Sequence, residues 1–234
     1  MIKAIFFDLD NTLCNCTLAD QKTYELIVPI VHKHYPAIHT TQLVSDYQLL
    51  IHQEPFAPNN QPPVREWRIQ LWDKALQKQG VEDKILAETL HDFFYEERLK
   101  FYKFDPGVED MLNALSLHYQ LALITNGDSD IQRPKLTACN AYRFFQHILV
   151  GGEHDEEKPH ISIFQKACDI TGCKPKQAVH IGDSLKTDIQ GGKNSGLALT
   201  IWINPLKKTL PLDAPVPDYQ VASVLEVPNI LKNI

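Results

Sequence analysis

Two aspartates one residue apart open the chemistry of this chain: Asp8 and Asp10, in Asp8-Leu9-Asp10-Asn11-Thr12. They follow the apolar run of residues 2–7, Ile-Lys-Ala-Ile-Phe-Phe. A brief apolar run stopped by polar residues reads as a buried parallel strand whose end carries a loop. Two carboxylates spaced this way on a chain leaving a strand point to the same side, although alone they read equally well as solvated loop acids. The same texture recurs. Residues 121–124 run into Thr125-Asn126-Gly127, which offers a hydroxyl, an amide and a turn whose backbone N–H groups can face an anion. Residues 178–181 run into Gly182-Asp183-Ser184 with Asp188 beyond, which supplies more carboxylate or simply an acidic helix start. Residues 147–150 run into Gly151-Gly152, and Lys158 follows just before a helix, a lone cation that in isolation is an ordinary surface lysine. Ligands of open α/β sheets bind outside the carboxyl ends of the strands. Each bland reading is reasonable alone; all of them failing to mean anything together, in this order at strand ends, is not.

The elements that must position these residues alternate. Apolar runs at 2–7, 121–124, 147–150, 178–181 and 199–203 are separated by helical patterns at 108–118, 161–171 and 188–194, the last closed by Gly196 as a C-terminal cap. That alternation predicts an α/β fold with a parallel sheet covered by helices on both faces. Residues 15–103 differ. Helical periodicity runs through 24–34, 42–52, 66–79 and 84–102, with Pro29 expected to kink or interrupt the first segment. Residues 55–63, Pro-Phe-Ala-Pro-Asn-Asn-Gln-Pro-Pro, are too proline-rich for helix and read as a connection. An all-helical block (15–103) is therefore inserted after the first strand of a core formed by 1–14 and 104–234, with Asp105-Pro106-Gly107 marking the return. The tail wraps the surface through 211–217 before a short strand near 219–221 and a helix near 224–231.

Asp8-x-Asp10-x-Thr12, Thr125, Lys158 and Gly182-Asp183-x4-Asp188 together resemble the haloacid dehalogenase superfamily of phosphatases. The resemblance implies a Rossmann-like sheet, a Mg²⁺ ion, an aspartyl-phosphate intermediate and, in residues 15–103, an inserted helical cap. Thr125-Asn126-Gly127-Asp128, Val150-Gly151-Gly152-Glu153, Glu156-Glu157-Lys158-Pro159, Thr187–Gly192 and Trp202-Ile203-Asn204 narrow it to the phosphatases of N-acylneuraminate 9-phosphate. Related pyrimidine 5′-nucleotidases share much of this core pattern, so a nucleoside 5′-monophosphate is the runner-up substrate. Within the superfamily Asp8 is the nucleophile, already anionic at neutral pH and in need of no base. Asp10 is the acid that protonates the leaving alkoxide and later takes a proton from water. Mg²⁺ falls to Asp8, the Asp10 backbone carbonyl and Asp183, since hard oxygen ligands suit it. Thr12, Thr125, the Asn126 backbone and Lys158 are the phosphate-binding group. Asp188 orients its neighbours from behind. Arg68, in Arg68-x3-Trp72, is the candidate for substrate specificity, or else a member of an internal ion pair.

Other readings narrow but do not vanish. Haloalkanoic dehalogenases lack the second aspartate because no alkoxide needs a proton, so Asp10 argues against that reaction. Transporting ATPases need membrane helices, and the longest apolar stretches here fall far short of the ~20 residues required. A phosphomutase uses the same core, and a catalytically silent binding protein is the non-enzyme alternative. A balance of 23 basic against 29 acidic residues gives a net charge of −6, a poor match to nucleic acid or an anionic membrane. The opening residues lack signal-peptide architecture and five cysteines form no disulfide framework, so the expectation is a cytoplasmic enzyme acting on a small phosphate ester. Cys14 and Cys16 without a second pair are a weak metal signal. Trp67 and Trp72 are expected in the core of the helical block or at its contact with the sheet.

Overall fold

The computed structural model describes residues 1–56 and 62–233. The central part of the proline-rich connection expected at 55–63 lies outside the described residues. The chain divides into two compact units, one of Met1–Cys16 with Tyr102–Ile234 and the other of Thr17–Phe101.

The first unit is built on six strands: β1 (Ala4–Phe7), β2 (Gln120–Thr125), β3 (His147–Val150), β4 (Ala178–Gly182), β5 (Leu199–Ile203) and β6 (Tyr219–Val221). They form one sheet in the order β3-β2-β1-β4-β5-β6, every pairing parallel. All four residues of β1 are fully buried, which is what a central parallel strand covered on both faces requires. Phe6 joins Ala122 and Ile124 in a cluster with Ile163, Phe164 and Ala167 of a helix at Ile161–Thr171. Phe7, on the opposite face, meets the Phe145 ring edge-on at 6.0 Å. Burial of each such ring contributes roughly 1.5–3 kcal/mol. The strand order reverses between β1 and β4, and a sheet of this order opens its binding crevice at that reversal. In register, Phe7 lies between Leu123 of β2 and Ile181 of β4, so the chain leaves β1 at Asp8 beside the residues that leave β4.

The helices are α1 (Cys16–His34), α2 (Thr40–Gln53), α3 (Val64–Gln77), α4 (Lys84–Phe101), α5 (Val108–Ser116), α6 (Ser129–Ala138), α7 (Ile161–Thr171), α8 (Gln190–Asn194) and α9 (Val227–Leu231). Three findings correct the sequence expectations. First, α1 starts eight residues earlier than the periodic segment at 24–34 and runs through Pro29 without interruption. Pro29 and Glu25 are both exposed, so the Glu25 carbonyl that loses its partner can turn to water, while Ala19, Thr23, Ile27 and Val31 keep a buried stripe. Second, the segment at 188–194 is a π-helical turn (Leu185–Ile189) leading into α8, which places Asp188 inside the turn. Third, α6 has no counterpart in the periodicity reading: its sequence, SDIQRPKLTA, is mostly polar and carries Pro134.

In the second unit the buried residues of α3 are Val64, Trp67, Leu71, Trp72, Ala75 and Leu76, the spacing of an amphipathic stripe. Trp72 is fully buried and stacks on Tyr47 of α2 at 3.8 Å between centroids. Both tryptophans therefore belong to this unit's own core.

Candidate active site

Asp8 follows the last residue of β1, and its backbone N–H donates to the Ile181 carbonyl at 2.9 Å, which fixes the departing chain against β4. Its side chain is held on both oxygens. Lys158 Nζ donates to Oδ1 at 2.7 Å and the Thr12 hydroxyl to Oδ2 at 3.1 Å. Thr12, expected among the phosphate ligands, thus turns its hydroxyl onto Asp8 and orients that carboxylate. Lys158 is 2% exposed, not a surface lysine. Its ammonium makes three contacts at 2.7 Å: to Asp8, to Asp188 Oδ1 and to the Ile124 carbonyl at the end of β2.

Asp188 accepts three hydrogen bonds. Oδ1 accepts from Lys158 and from His180 Nε2 (2.9 Å), and Oδ2 accepts from the Ser184 backbone N–H at 3.0 Å. An oxygen of Asp188 lies within 4.8 Å of oxygens of Asp8 and Asp183, and unlike theirs its two oxygens already accept three donors. The approach needs a glycine: a Cβ on Gly182 would sit 2.2 Å from Asp188 Cγ. Trp202 of β5 steadies the neighbouring loop by donating Nε1–H to the Asp183 carbonyl at 2.8 Å.

The charges follow from this geometry. Burial opposes the Lys158 charge, but Asp188 and Asp8 more than offset it, so the ammonium is held above its ordinary range. Burial also works against the Asp188 charge, yet Lys158 and His180 outweigh it and keep the carboxylate well below the usual range. Burial, ahead of the attraction to Asp188, depresses His180, so the imidazole is neutral and donates from Nε2. Asp8, expected to be anionic at neutral pH, is instead pushed up to about 8 by burial and by the neighbouring Asp188 and Asp183, with Lys158 pulling the other way. Asp183 is raised to about 6 by burial, then by Asp188. Three carboxyl groups cluster about one buried ammonium, which contacts two of them, Asp8 and Asp188. That surplus of hard anionic oxygen is what a divalent cation would relieve, and Asp8 and Asp183 are the two with oxygen atoms to offer.

Asn126 spans to Lys158 with its side chain: Nδ2 donates to the Lys158 carbonyl at 2.7 Å and Oδ1 accepts the Lys158 N–H at 3.0 Å. The amide thereby sets the backbone from which the lysine reaches in. The Gly127 N–H of the same turn is taken by Glu157 Oε2 at 3.0 Å, so that donor is not open to a phosphate. Thr125 is buried, and its Oγ1 accepts from Gln132 Nε2 at 2.5 Å, which frees the hydroxyl proton to be donated outward.

Asp10 is surrounded by residues that the sequence reading did not single out. Lys135 Nζ lies 2.8 Å from Oδ2 and 3.1 Å from Oδ1, the Tyr102 hydroxyl donates to Oδ1 at 2.5 Å, and Gln132 Nε2 donates to Oδ2 at 3.1 Å. Gln132 and Lys135 lie three apart on α6, whose start was signalled by Asp128, an N-cap that accepts from the Asp130 N–H at 2.9 Å. Arg68 lies in the helical unit. Among the described residues it makes no ion pair; Nη1 donates to the Tyr47 hydroxyl at 3.3 Å and the guanidinium lies over the Trp67 ring. Cys14 and Cys16 are buried and in no disulfide, and no cluster of metal-ligand type forms around them among the described residues.

This arrangement matches a known family. The family model for haloacid dehalogenase-like hydrolases matches residues 2–196. The chain belongs to that family. Among curated proteins it is 37% identical to the N-acylneuraminate-9-phosphatase of Rattus norvegicus over 236 residues, covering 100% of this chain and 95% of the relative. The human N-acylneuraminate-9-phosphatase is likewise 37% identical, over 241 residues with the same coverage. Among solved structures, a Bacillus subtilis protein described as a haloacid dehalogenase-type hydrolase superposes with a TM-score of 0.77 at 22% identity, over 100% of this chain and 99% of that one. That likeness shows the fold; the family and its phosphatases make the chain a phosphoric monoester hydrolase. No helix among the described residues of this hydrolase is long and apolar enough to cross a membrane.

Proposed function

We propose that the protein is a Mg²⁺-dependent phosphomonoesterase that works through an aspartyl-phosphate on Asp8, with a sugar acid phosphate such as N-acylneuraminate 9-phosphate as substrate. The observation that carries the chemistry is Asp8 itself, a buried carboxylate at the sheet's central reversal, gripped on both oxygens by Lys158 and Thr12 beside Asp183. The substrate assignment is supported by the identity shared with the N-acylneuraminate-9-phosphatases along the whole chain.

Asp8, Asp183 and the Asp10 backbone carbonyl would hold the ion, which when bound screens the repulsion between a carboxylate and a phosphate dianion. An Asp8 oxygen attacks phosphorus as the bond to the leaving oxygen breaks, and Asp10, which takes up a proton as the substrate complex forms, passes it to that alkoxide. The Thr125 hydroxyl proton and the Asn126 backbone N–H stabilise the phosphoryl oxygens as charge gathers on them, while Lys158, whose three N–H groups go to Asp8, Asp188 and the Ile124 carbonyl, contributes as a fixed positive charge beside them. Water then attacks the aspartyl-phosphate, Asp10 takes its proton, and phosphate leaves with Asp8 restored. Asp188 and neutral His180 hold Lys158 in place throughout. Free cysteines are consistent with a cytoplasmic enzyme.

The test is a panel of phosphate esters assayed with Mg²⁺ and ranked by kcat/KM. N-acylneuraminate 9-phosphate should lead; a nucleoside 5′-monophosphate in first place would replace the substrate while keeping the reaction. Arg68 is the proposed discriminating residue, because among the described residues its Nε has no hydrogen-bond partner and its guanidinium meets a phenol and a ring rather than a carboxylate. Arg68→Ala should lose roughly ten- to a hundredfold in kcat/KM on the leading substrate but little on p-nitrophenyl phosphate, as for one charge-assisted contact. Equal losses on both would assign Arg68 to the helical unit's own stability.

A further inference from the structure

Asp10 is gripped by a donor set separate from the one that serves Asp8. Lys135 contacts both carboxylate oxygens, Tyr102 and Gln132 take one each, and the Lys135 ammonium lies over the Tyr102 ring at 5.4 Å. Lys135 is 5% exposed and Gln132 and Tyr102 2% each, whereas the Asp10 side chain keeps 27% of its surface open. The donors therefore engage both oxygens while part of the side chain's surface stays open. An exposed lysine–aspartate pair contributes little, but a lysine this buried has surrendered its water and fixes its partner's torsions far more firmly. Gln132 adds a second constraint. The same amide nitrogen reaches Thr125 Oγ1 and the Asn126 carbonyl at 2.9 Å, so it ties the loop after β1 to the end of β2.

We propose that Lys135, supported by Gln132 and Tyr102, is a positioning residue for the leaving-group step: it holds the Asp10 carboxyl at the angle from which the proton passes, without touching the substrate itself. The inference rests on Asp10 being the acid–base residue. A carboxyl that has lost this grip still sits in the site but swings about its side-chain torsions, and a misplacement of about 1 Å can cost on the order of a hundredfold in the step it serves. The loss falls on substrates whose leaving group needs a proton, because p-nitrophenolate departs without one.

The experiment compares wild type, Lys135→Met, Lys135→Arg, Asp10→Asn and the double variant Asp10→Asn/Lys135→Met. Each is assayed on p-nitrophenyl phosphate and on an alkyl phosphate, N-acylneuraminate 9-phosphate or the panel member that replaces it. Because one preparation meets both esters, any unfolded fraction cancels in their ratio. Lys135→Met should lose roughly ten- to a hundredfold in kcat on the alkyl ester and less than about threefold on the aryl ester, with Lys135→Arg recovering most of the difference. In the Asp10→Asn background Lys135→Met should add no more than about a twofold further loss on the alkyl ester, since there is no acid left to aim. Equal losses on both esters, or a full additional loss in the double variant, would overturn the role of Lys135 alone, provided Asp10→Asn itself discriminates between the esters. If Asp10→Asn slows both equally, the acid–base reading falls instead, and this inference with it.

Discussion

Replacing Lys158 by methionine removes the cation shared by two buried carboxylates while nearly conserving side-chain length. Lys158 is 2% exposed and Asp188 1%, so solvent screening offers no relief, and one charge bridges both acids at 2.7 Å. Breaking a buried pair by deleting one partner costs about 3–5 kcal/mol. For a chain of this size that is a fall in Tm of roughly 6–20 °C. The acids do not suffer alike. Asp8, pushed up to about 8 even with Lys158 present, takes a proton and escapes most of the penalty near neutral pH. Asp188 keeps His180 and the Ser184 N–H but loses the ammonium that holds it low, so the deficit sits mainly there. The sign of the pH dependence follows. Above about pH 8 the wild-type Asp8 is ionised beside Lys158, while the variant retains a proton on Asp8, so the variant loses stability faster as pH rises. Melting the metal-free proteins by circular dichroism from pH 6 to 9, with the wild type as reference, should show a deficit that widens above pH 8. A Tm change below about 2 °C, independent of pH, would refute the description of Lys158 as the counter-ion of this cluster.

Asp8→Asn should leave the melting temperature near or above that of wild type and reduce turnover below about one-thousandth, because an amide cannot replace the nucleophile; activity within tenfold of wild type, in protein verified by mass, would remove Asp8 from that role. Mg²⁺ binding should release protons and tighten with pH, by up to about tenfold per unit between pH 6 and 8, since Asp8 and Asp183 are raised to about 8 and about 6 and must be ionised to ligate. The same shifts make the metal-free protein less stable as pH rises from about 4 to about 8, where the unfolded chain has released protons that the native state still holds. Calorimetric titration in buffers of different ionisation enthalpy counts those protons, and an affinity independent of pH would contradict the assignment. Gly182→Ala drives a methyl to 2.2 Å from Asp188 Cγ and should destabilise by about 1–3 kcal/mol while lowering activity through displaced Lys158; an alanine variant with native melting and turnover would show that Asp188 is free to move.

The placement of polar residues at the strand ends was legible in the sequence because it is written locally. A strand covered on both faces is a continuous apolar run, and the residue that stops the run is the one delivered to the sheet's edge, so Asp8, Thr125 and Asp183 could be placed by counting. The amphipathic stripes of α2, α3 and α4 were equally plain, since each helix buries one face. Pro29 misled because the rule against proline assumes that the freed carbonyl is buried, and here Glu25 faces water. What no local pattern could supply is which side chains meet across the sheet order. Lys158, which follows β3, is buried rather than exposed because it reaches Asp8 beyond β1, the Ile124 carbonyl of β2 and Asp188 beyond β4, and that depends on β2, β1 and β4 lying side by side. Gln132 and Lys135 were hidden for a related reason. Their helix, α6, carries too few apolar residues to show periodicity, because its inward face meets the polar end of the sheet instead of a hydrophobic core. Tyr102 reaches Asp10 from 92 positions away. Sequence spacing determines which residues a strand or helix presents, while partners drawn from different elements are decided by the tertiary packing that brings those elements together.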